Sequence, residues 1–296
     1  MTIVVTGASG LLGPALVREL RAGGERVVTL VRHAPQGDDE SFWDPAKGLI
    51  DPGALEGADG VVHLSGAPVA GRRWTEAYKR LLVSSRVDST RTLVTALGGL
   101  SAPPGVLVSA SGVDFYGDTG DRVVDEGDGQ GRGFMAGLCR QWEDAARAAP
   151  AGVRTAQMRT GLVLTGEGGA LGPMLPIFRM GLGAPLGSGR HWWSWIALAD
   201  WVGAVRHILK NPDIEGPVNL TSPTPVTNAE FTRTLGKTLR RPTMPIGVPA
   251  FALGLGLGEF AREALLSSHR IMPKKLVDSG YGFAHTRLDQ ALAAVL

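Results

Sequence analysis

Eight residues near the start of the chain, Thr6-Gly7-Ala8-Ser9-Gly10-Leu11-Leu12-Gly13, constrain its fold more than any other feature. The apolar run Ile3-Val4-Val5 precedes them. Leu11 to Arg21 follows with helical spacing, placing Leu12, Leu16 and Leu20 on one face and Arg18, Glu19 and Arg21 on the other. A strand that passes through glycines straight into a helix makes a phosphate-binding corner. Gly7 lets the chain turn sharply out of the strand. Gly10 leaves no side chain between the backbone and a pyrophosphate, and Gly13 lets the helix pack close to the sheet. The opening turn of the helix then offers free N–H groups and the positive end of its dipole to an anion.

The first half continues as alternating strands and helices. Arg26 to Val31, Gly60 to Leu64 and Val106 to Val108 are largely apolar runs without polar alternation, and Val153 to Met158 reads as a further strand. That pattern suits strands covered on both faces, as in a parallel sheet flanked by helices. Thr75 to Leu97 and Phe134 to Ala149 read as long helices, and both are candidates for a homodimer bundle. The texture changes after Arg159. Gly161 to Gly189 is rich in Gly and Pro around an amphipathic piece, Leu171 to Met180, and further helices are expected over Leu198–Leu209 and Thr227–Leu239, with a strand over Gly216–Leu220. The expected fold is a Rossmann-type, doubly wound α/β sheet with a smaller, mostly helical C-terminal part. The expected division is 1–160 for the dinucleotide and 161–296 for substrate, with some segments returning to the main sheet.

The end of the second strand selects the cofactor. NAD-binding chains place an acid there for the ribose 2′-hydroxyl. Here the residues are Leu30-Val31-Arg32-His33, and no acid appears before Asp38. A guanidinium at Arg32 can pair with a 2′-phosphate through a bidentate, charge-assisted contact, so NADP(H) is expected.

These residues resemble the extended, epimerase-like branch of the short-chain dehydrogenase/reductase superfamily. The resemblance extends through His63-Leu64-Ser65-Gly66-Ala67-Pro68, Arg73-Trp74, Ser85-Arg86, Ser89-Thr90, Ser109-Ala110-Ser111 and Tyr116-Gly117. It continues in Arg159 to Leu164, Gly187 to Arg190, Trp195-Ile196, Pro225 to Asn228 and Leu266 to Pro273, so it covers nearly the whole chain. Carried over, it implies that Gly7, Ser9, Gly10, Leu11, Leu12 and Gly13 line the pyrophosphate and that Arg32 meets the 2′-phosphate. Leu64, Ser65 and Gly66 would run beneath the ribose and pyrophosphate. Ser109, Ala110 and Ser111 would lie beside the nicotinamide, with Gly161, Leu162 and Val163 over its carboxamide.

One part of the superfamily pattern is missing. Its usual chemistry needs a tyrosine and a lysine four residues apart on a helix. Aligning Glu143 with the acid that commonly follows that pair places Met135 and Cys139 at those positions. Methionine has no proton to transfer, and Cys139 has no activating neighbour in sequence, so it reads as an inert helix cysteine. Proton transfer therefore falls to Ser111, at the position of the superfamily's catalytic serine, with Tyr116 or Asp114 on the loop that follows.

The second half is expected to supply the substrate pocket. Arg190-His191-Trp192-Trp193-Ser194-Trp195 is unusually rich in tryptophan, and Arg190, His191 and Trp193 are the candidate substrate contacts. Alternation along a strand would turn one tryptophan to the core and another to the ligand. Arg190 is shifted from the arginine that related enzymes use for substrate phosphates, which favours a flatter or more apolar substrate.

Composition excludes several classes. The net charge is +2 and no basic tract appears, so no nucleic-acid partner is expected. The single cysteine rules out an internal disulfide and a thiolate zinc cluster, and no metal site is expected. The longest apolar stretch, Val248 to Leu257, is about half the length of a spanning helix, so the reading is a soluble cytoplasmic protein with no membrane partner. Three functions fit. The first is an NADP(H)-dependent oxidoreductase or epimerase acting on a small molecule. The second is a redox-neutral isomerase or cyclase on the same fold. The third is a non-catalytic NADP(H) sensor that binds a protein.

Overall fold

Valine-rich runs become the inner strands of one large sheet in the computed structural model, which describes residues 1–296. Its strands are β1 (Thr2–Thr6), β2 (Arg26–Val31), β3 (Glu40–Asp44), β4 (Leu49–Ile50), β5 (Gly60–His63), β6 (Val106–Gly112), β7 (Arg154–Thr160) and, after three short strands elsewhere, β11 (Gly216–Leu220). They lie in the order β11-β7-β6-β5-β1-β2-β3-β4. Pairing is parallel from β6 through β5, β1 and β2 to β3, and antiparallel between β3 and β4. The register lines Val28, Val4, Val61 and Leu107 across four strands, and all four join one buried cluster with Leu93 and Leu97. The order turns back at β1, whose neighbours are β2 and β5. In open α/β sheets ligands bind at such a reversal, outside the carboxyl ends of the strands. The fold is the Rossmann-type parallel sheet that the sequence led us to expect.

The helices beside this sheet are α1 (Gly13–Ala22), α2 (Glu76–Gly98), α3 (Phe134–Arg147) and, later in the chain, α5 (Leu198–Lys210). Thr75 caps α2 by accepting a hydrogen bond from the Tyr78 amide at 3.2 Å. The β3–β4 hairpin was not anticipated. β3 is short, with charged residues at both ends, and β4 is only Leu49-Ile50, so no apolar periodicity announces the hairpin.

The chain divides into two compact units, and neither is one continuous segment. The first comprises Met1–Ser111, Leu138–Met158 and Val202–Val218; the second comprises Gly112–Gly137, Arg159–Trp201 and Asn219–Leu296. The cut expected at residue 160 is thus crossed in both directions. Inside the first unit, Arg154 of β7 donates to the carbonyls of Ile208 and Ile214, and Arg206 of α5 pairs with Glu19 of α1, so the returning segment is bonded in.

The second unit has its own core, in which Trp193, Trp195, Phe178, Phe231, Leu235 and Leu292 are buried together. It contains the short strands β8 (Leu162–Leu164), β9 (Trp192–Trp193), β10 (Trp195–Ala197) and β12 (Val226–Thr227). β8 pairs parallel with β10, and β9 antiparallel with β12. Its remaining helices are α4 (Leu171–Arg179), α6 (Asn228–Thr238), α7 (Ala250–Leu257), α8 (Lys274–Asp278) and α9 (Leu288–Val295). Asp200, in the first turn of α5, accepts from the amides of Ala284 and His285 and anchors that later loop. No helix is long and apolar enough to cross a membrane.

Candidate functional site

The corner after β1 has the geometry its glycines require. Gly7 sits at φ +69°, and a Cβ there would lie 2.8 Å from the Leu64 backbone. At Gly13 a Cβ would lie 2.4 Å from the Ala8 carbonyl oxygen, so only glycine lets α1 begin so close to the turn. The Gly10 amide closes the turn onto the Gly7 carbonyl at 3.0 Å. Ser9, Gly10 and Leu11 are exposed and Leu12 is half-buried. α1 starts with no side-chain cap and with Pro14 in its first turn, so its leading amides face outward unclaimed. Past the end of β2, Arg32 is exposed and makes no ion pair, while nearby Asp39 is held by Arg21 at 2.8 Å.

A buried polar chain fixes the neighbouring Leu64–Gly66 loop. Thr90 donates its hydroxyl to the Arg86 carbonyl at 2.7 Å, so it receives the His63 Nε2–H at 3.0 Å. His63 Nδ1 is therefore the acceptor, and it takes the Thr6 hydroxyl at 2.7 Å. Thr6 Oγ1 in turn accepts from the Ser65 hydroxyl and the Leu64 amide. This order of donors requires a neutral ring, and burial pushes the His63 pKa down to about 4. Beneath Gly66 lies the buried guanidinium of Arg86, which donates to the Ala67 carbonyl at 2.9 Å and stacks on Trp142. The sequence marks His63 and Arg86 only as parts of a motif; their supporting roles appear once β1, β5 and α2 are packed.

At the end of β6, Ser109 is buried and Ala110 half-buried. The Ser111 hydroxyl donates to Glu143 Oε1 at 2.8 Å, and Glu143 is completely buried on α3. Sequence reading used Glu143 only to align the helix. Its pairing with Ser111, 32 positions away, had no local signal. On the same helix, Met135 and Cys139 are both buried.

The second unit holds the other candidates. Tyr116 is buried, donates to Asn219 Oδ1 at 2.8 Å and accepts from Arg159 at 2.9 Å. Burial pushes its phenol up to about 12 against the opposing pull of Arg159, so it holds its proton firmly at neutral pH. Asp114, half-buried, makes no side-chain hydrogen bond. Gly161 is backed by the Ser194 carbonyl, 2.5 Å from where its Cβ would stand, and Leu162 and Val163 run along β10. Arg190 is exposed.

Trp193 faces the core rather than a ligand. Its ring lies 5.1 Å from Phe231, and Trp192 is the partly exposed member of the pair, stacked under Arg270. The alternation is real but its phase is reversed, because the apolar side of β9 covers α6. His191 packs against Trp193 with its Nε2 buried and unpaired. His269, which sequence reading missed, likewise has an unpaired buried Nε2. Burial lowers the pKa of both rings, and the carboxylates of Asp114 and Asp118 oppose that shift at His269.

Residues 3–132 match the model described as the NAD dependent epimerase/dehydratase family, and residues 248–295 match a domain of unknown function, DUF1731. An epimerase family protein of Mycobacterium bovis is 46% identical over 98% of this chain and 96% of its own length. This chain belongs to the epimerase/dehydratase family. A crystal structure of the human epimerase family protein SDR39U1 with NADPH has a TM-score of 0.90 and 31% identity, covering 100% of this chain and 99% of that one. A nucleoside-diphosphate sugar epimerase from Corynebacterium glutamicum has a TM-score of 0.82 and 34% identity over 100% of this chain and 58% of its own. The resemblance to the short-chain dehydrogenase/reductase superfamily is thereby borne out over the whole family member.

Proposed function

We propose that this family member is an NADP(H)-dependent oxidoreductase or epimerase acting on a small molecule. The observation that carries the reading is the open corner Gly7–Gly13, with unclaimed helix amides, joined by an unpaired guanidinium at Arg32. The NADPH held by the human relative supports the same choice of cofactor. A bound nicotinamide accepts or supplies hydride; the protons are the work of this chain.

Ser111 and Glu143 replace the missing Tyr-Lys pair in this reading. Glu143 takes the Ser111 hydrogen, so Ser111 presents its lone pairs to the ligand. A substrate hydroxyl donating to Ser111 Oγ can then lose its proton through Ser111 to the Glu143 carboxylate as hydride leaves carbon, and the return path protonates the oxygen. Tyr116, clamped by Asn219 and Arg159, positions its loop rather than exchanging protons. Within the second unit, Asp114, His191 and His269 keep unused hydrogen-bonding capacity and Arg190 is exposed, which leaves these four as the candidates for binding a small molecule there. Met135 and Cys139 in place of tyrosine and lysine keep the redox-neutral isomerase or cyclase as the second reading.

Titration calorimetry tests the first claim. NADPH should bind more tightly than NADH, and Arg32→Ala should weaken NADPH by about 10- to 100-fold while leaving NADH nearly unchanged, the size of a lost charge-assisted bond. Absence of heat with both dinucleotides would refute the reading. Glu143→Gln should retain the wild-type NADPH affinity and slow hydride transfer to any carbonyl that oxidises NADPH.

A further inference from the structure

Half of the large apolar side chains that the whole chain leaves exposed come from two short stretches of the second unit. Ile177, Met180 and Leu182 belong to one; Met244, Ile246, Phe251, Leu255 and Leu257 belong to the other, and each is 42% to 79% exposed. The stretches lie side by side: Gly183 bridges Thr243, Leu186 bridges Val248, and the Met244 amide donates to the Gly183 carbonyl at 2.7 Å. α7 follows directly with the sequence AFALGLGL, has no polar side chain, and buries none of its residues. A helix apolar on every side normally lies in a protein core or in lipid. Residues 248–257 are too few to span a bilayer and here line no core, and α7 has no polar face of its own, so a lipid surface can take up its apolar side chains only by shallow insertion, with the polar contact supplied by neighbouring cations.

The charge around this face identifies its partner. Residues 176–190 and 231–258 contain no Asp or Glu. Arg179 and Arg241 head the two paired stretches, Arg240 precedes Arg241, and Lys237 lies one helical turn earlier; all four are exposed and none makes an ion pair. Arg240 is held at φ 55°, the chain's one non-glycine residue with positive φ, where glycine would sit at lower cost. A twofold contact between two copies would set this patch against itself and bring like charges together. An anionic surface matches both the cations and the apolar side chains.

We propose that this face docks the protein on an anionic membrane surface, with α7 lying in the headgroup region and the four cations on acidic lipid. Surface docking departs from the expectation of no membrane partner, while the absence of a spanning helix stands.

Cosedimentation of the full chain with extruded vesicles tests this. The protein should pellet with phosphatidylcholine containing about one-third phosphatidylglycerol, pellet far less with phosphatidylcholine alone, and be released by salt. Arg240→Gln with Arg241→Gln should lower binding about thirtyfold, at about fivefold per charge. Phe251→Ser with Leu255→Ser should abolish it. All four positions are exposed, so both variants should keep the wild-type circular dichroism. Wild type remaining in the supernatant with anionic vesicles, or both variants pelleting like wild type, would overturn the proposal. So would a wild-type dimer in gel filtration that the serine variant converts to monomer, because a second copy would then be the occupant.

Discussion

At His63 a single buried ring ties β1 to β5 and α2, and its neutrality is part of the tie. The folded ring titrates near 4 and the unfolded one near 6.5. Above 6.5 both states are neutral and stability is unaffected. As pH falls from 6.5 toward 4 the unfolded state takes up the proton first, so folding loses stability, by roughly 3 kcal/mol across the window. Burial lowers His191 and His269 as well, and they act in the same direction. Urea unfolding at pH 7 and pH 5 should show the midpoint falling with acid; equal midpoints would mean the ring is not held neutral. The sequence already contains Thr6, His63 and Thr90, but nothing in it shows that residues 57 and 27 positions apart share one chain of hydrogen bonds. Ser111 was legible as a candidate from its motif; Glu143 was not legible as its partner.

Among the elements, α6 shows where local signals suffice and where they fail. Thr227 caps it by accepting from the Glu230 amide at 3.2 Å, the local role a threonine before a helical run favours. At its other end, the Arg241 amide bonds the Gly236 carbonyl and the Arg240 amide bonds that of Lys237, a C-terminal turn that favours glycine where Arg240 stands. Arg240→Gly should raise stability by about 0.5–1 kcal/mol in thermal melts. If the charge serves docking, the same change should weaken vesicle binding. A melting temperature that drops instead would show that the Arg240 side chain stabilises the turn. The inner strands were legible because unbroken valine runs have few other uses. The β3–β4 hairpin was not, because the edge strand β4 is only two residues long and in β3 Trp43 is the one large apolar side chain that is buried. The phase of the Trp192–Trp195 alternation depended on which side α6 covers.

For the whole molecule the consequential fact is that the first unit is discontinuous. A fragment of residues 1–160 would lack α5 and β11, and with them the carbonyls that Arg154 bonds and the Arg206 and Lys210 partners of Glu19 and Glu25. That fragment should show little cooperative unfolding by circular dichroism and weak NADPH binding, whereas the full chain melts cooperatively. A stable, NADPH-binding 1–160 fragment would show the returning segment to be dispensable. By itself the sequence determined the strand–glycine–helix corner, the parallel sheet behind it and the cation at Arg32. These are properties of residue type and short-range spacing, where backbone sterics and periodicity leave few alternatives. Only the tertiary structure decided that Glu143 holds Ser111, that Tyr116 is locked by Arg159 and Asn219, that Trp193 turns inward, and that α7 stands bare beside unpaired cations. Each depends on which distant segments pack together, and burial, not local sequence, sets whether a polar group is paired and which face of an element meets water.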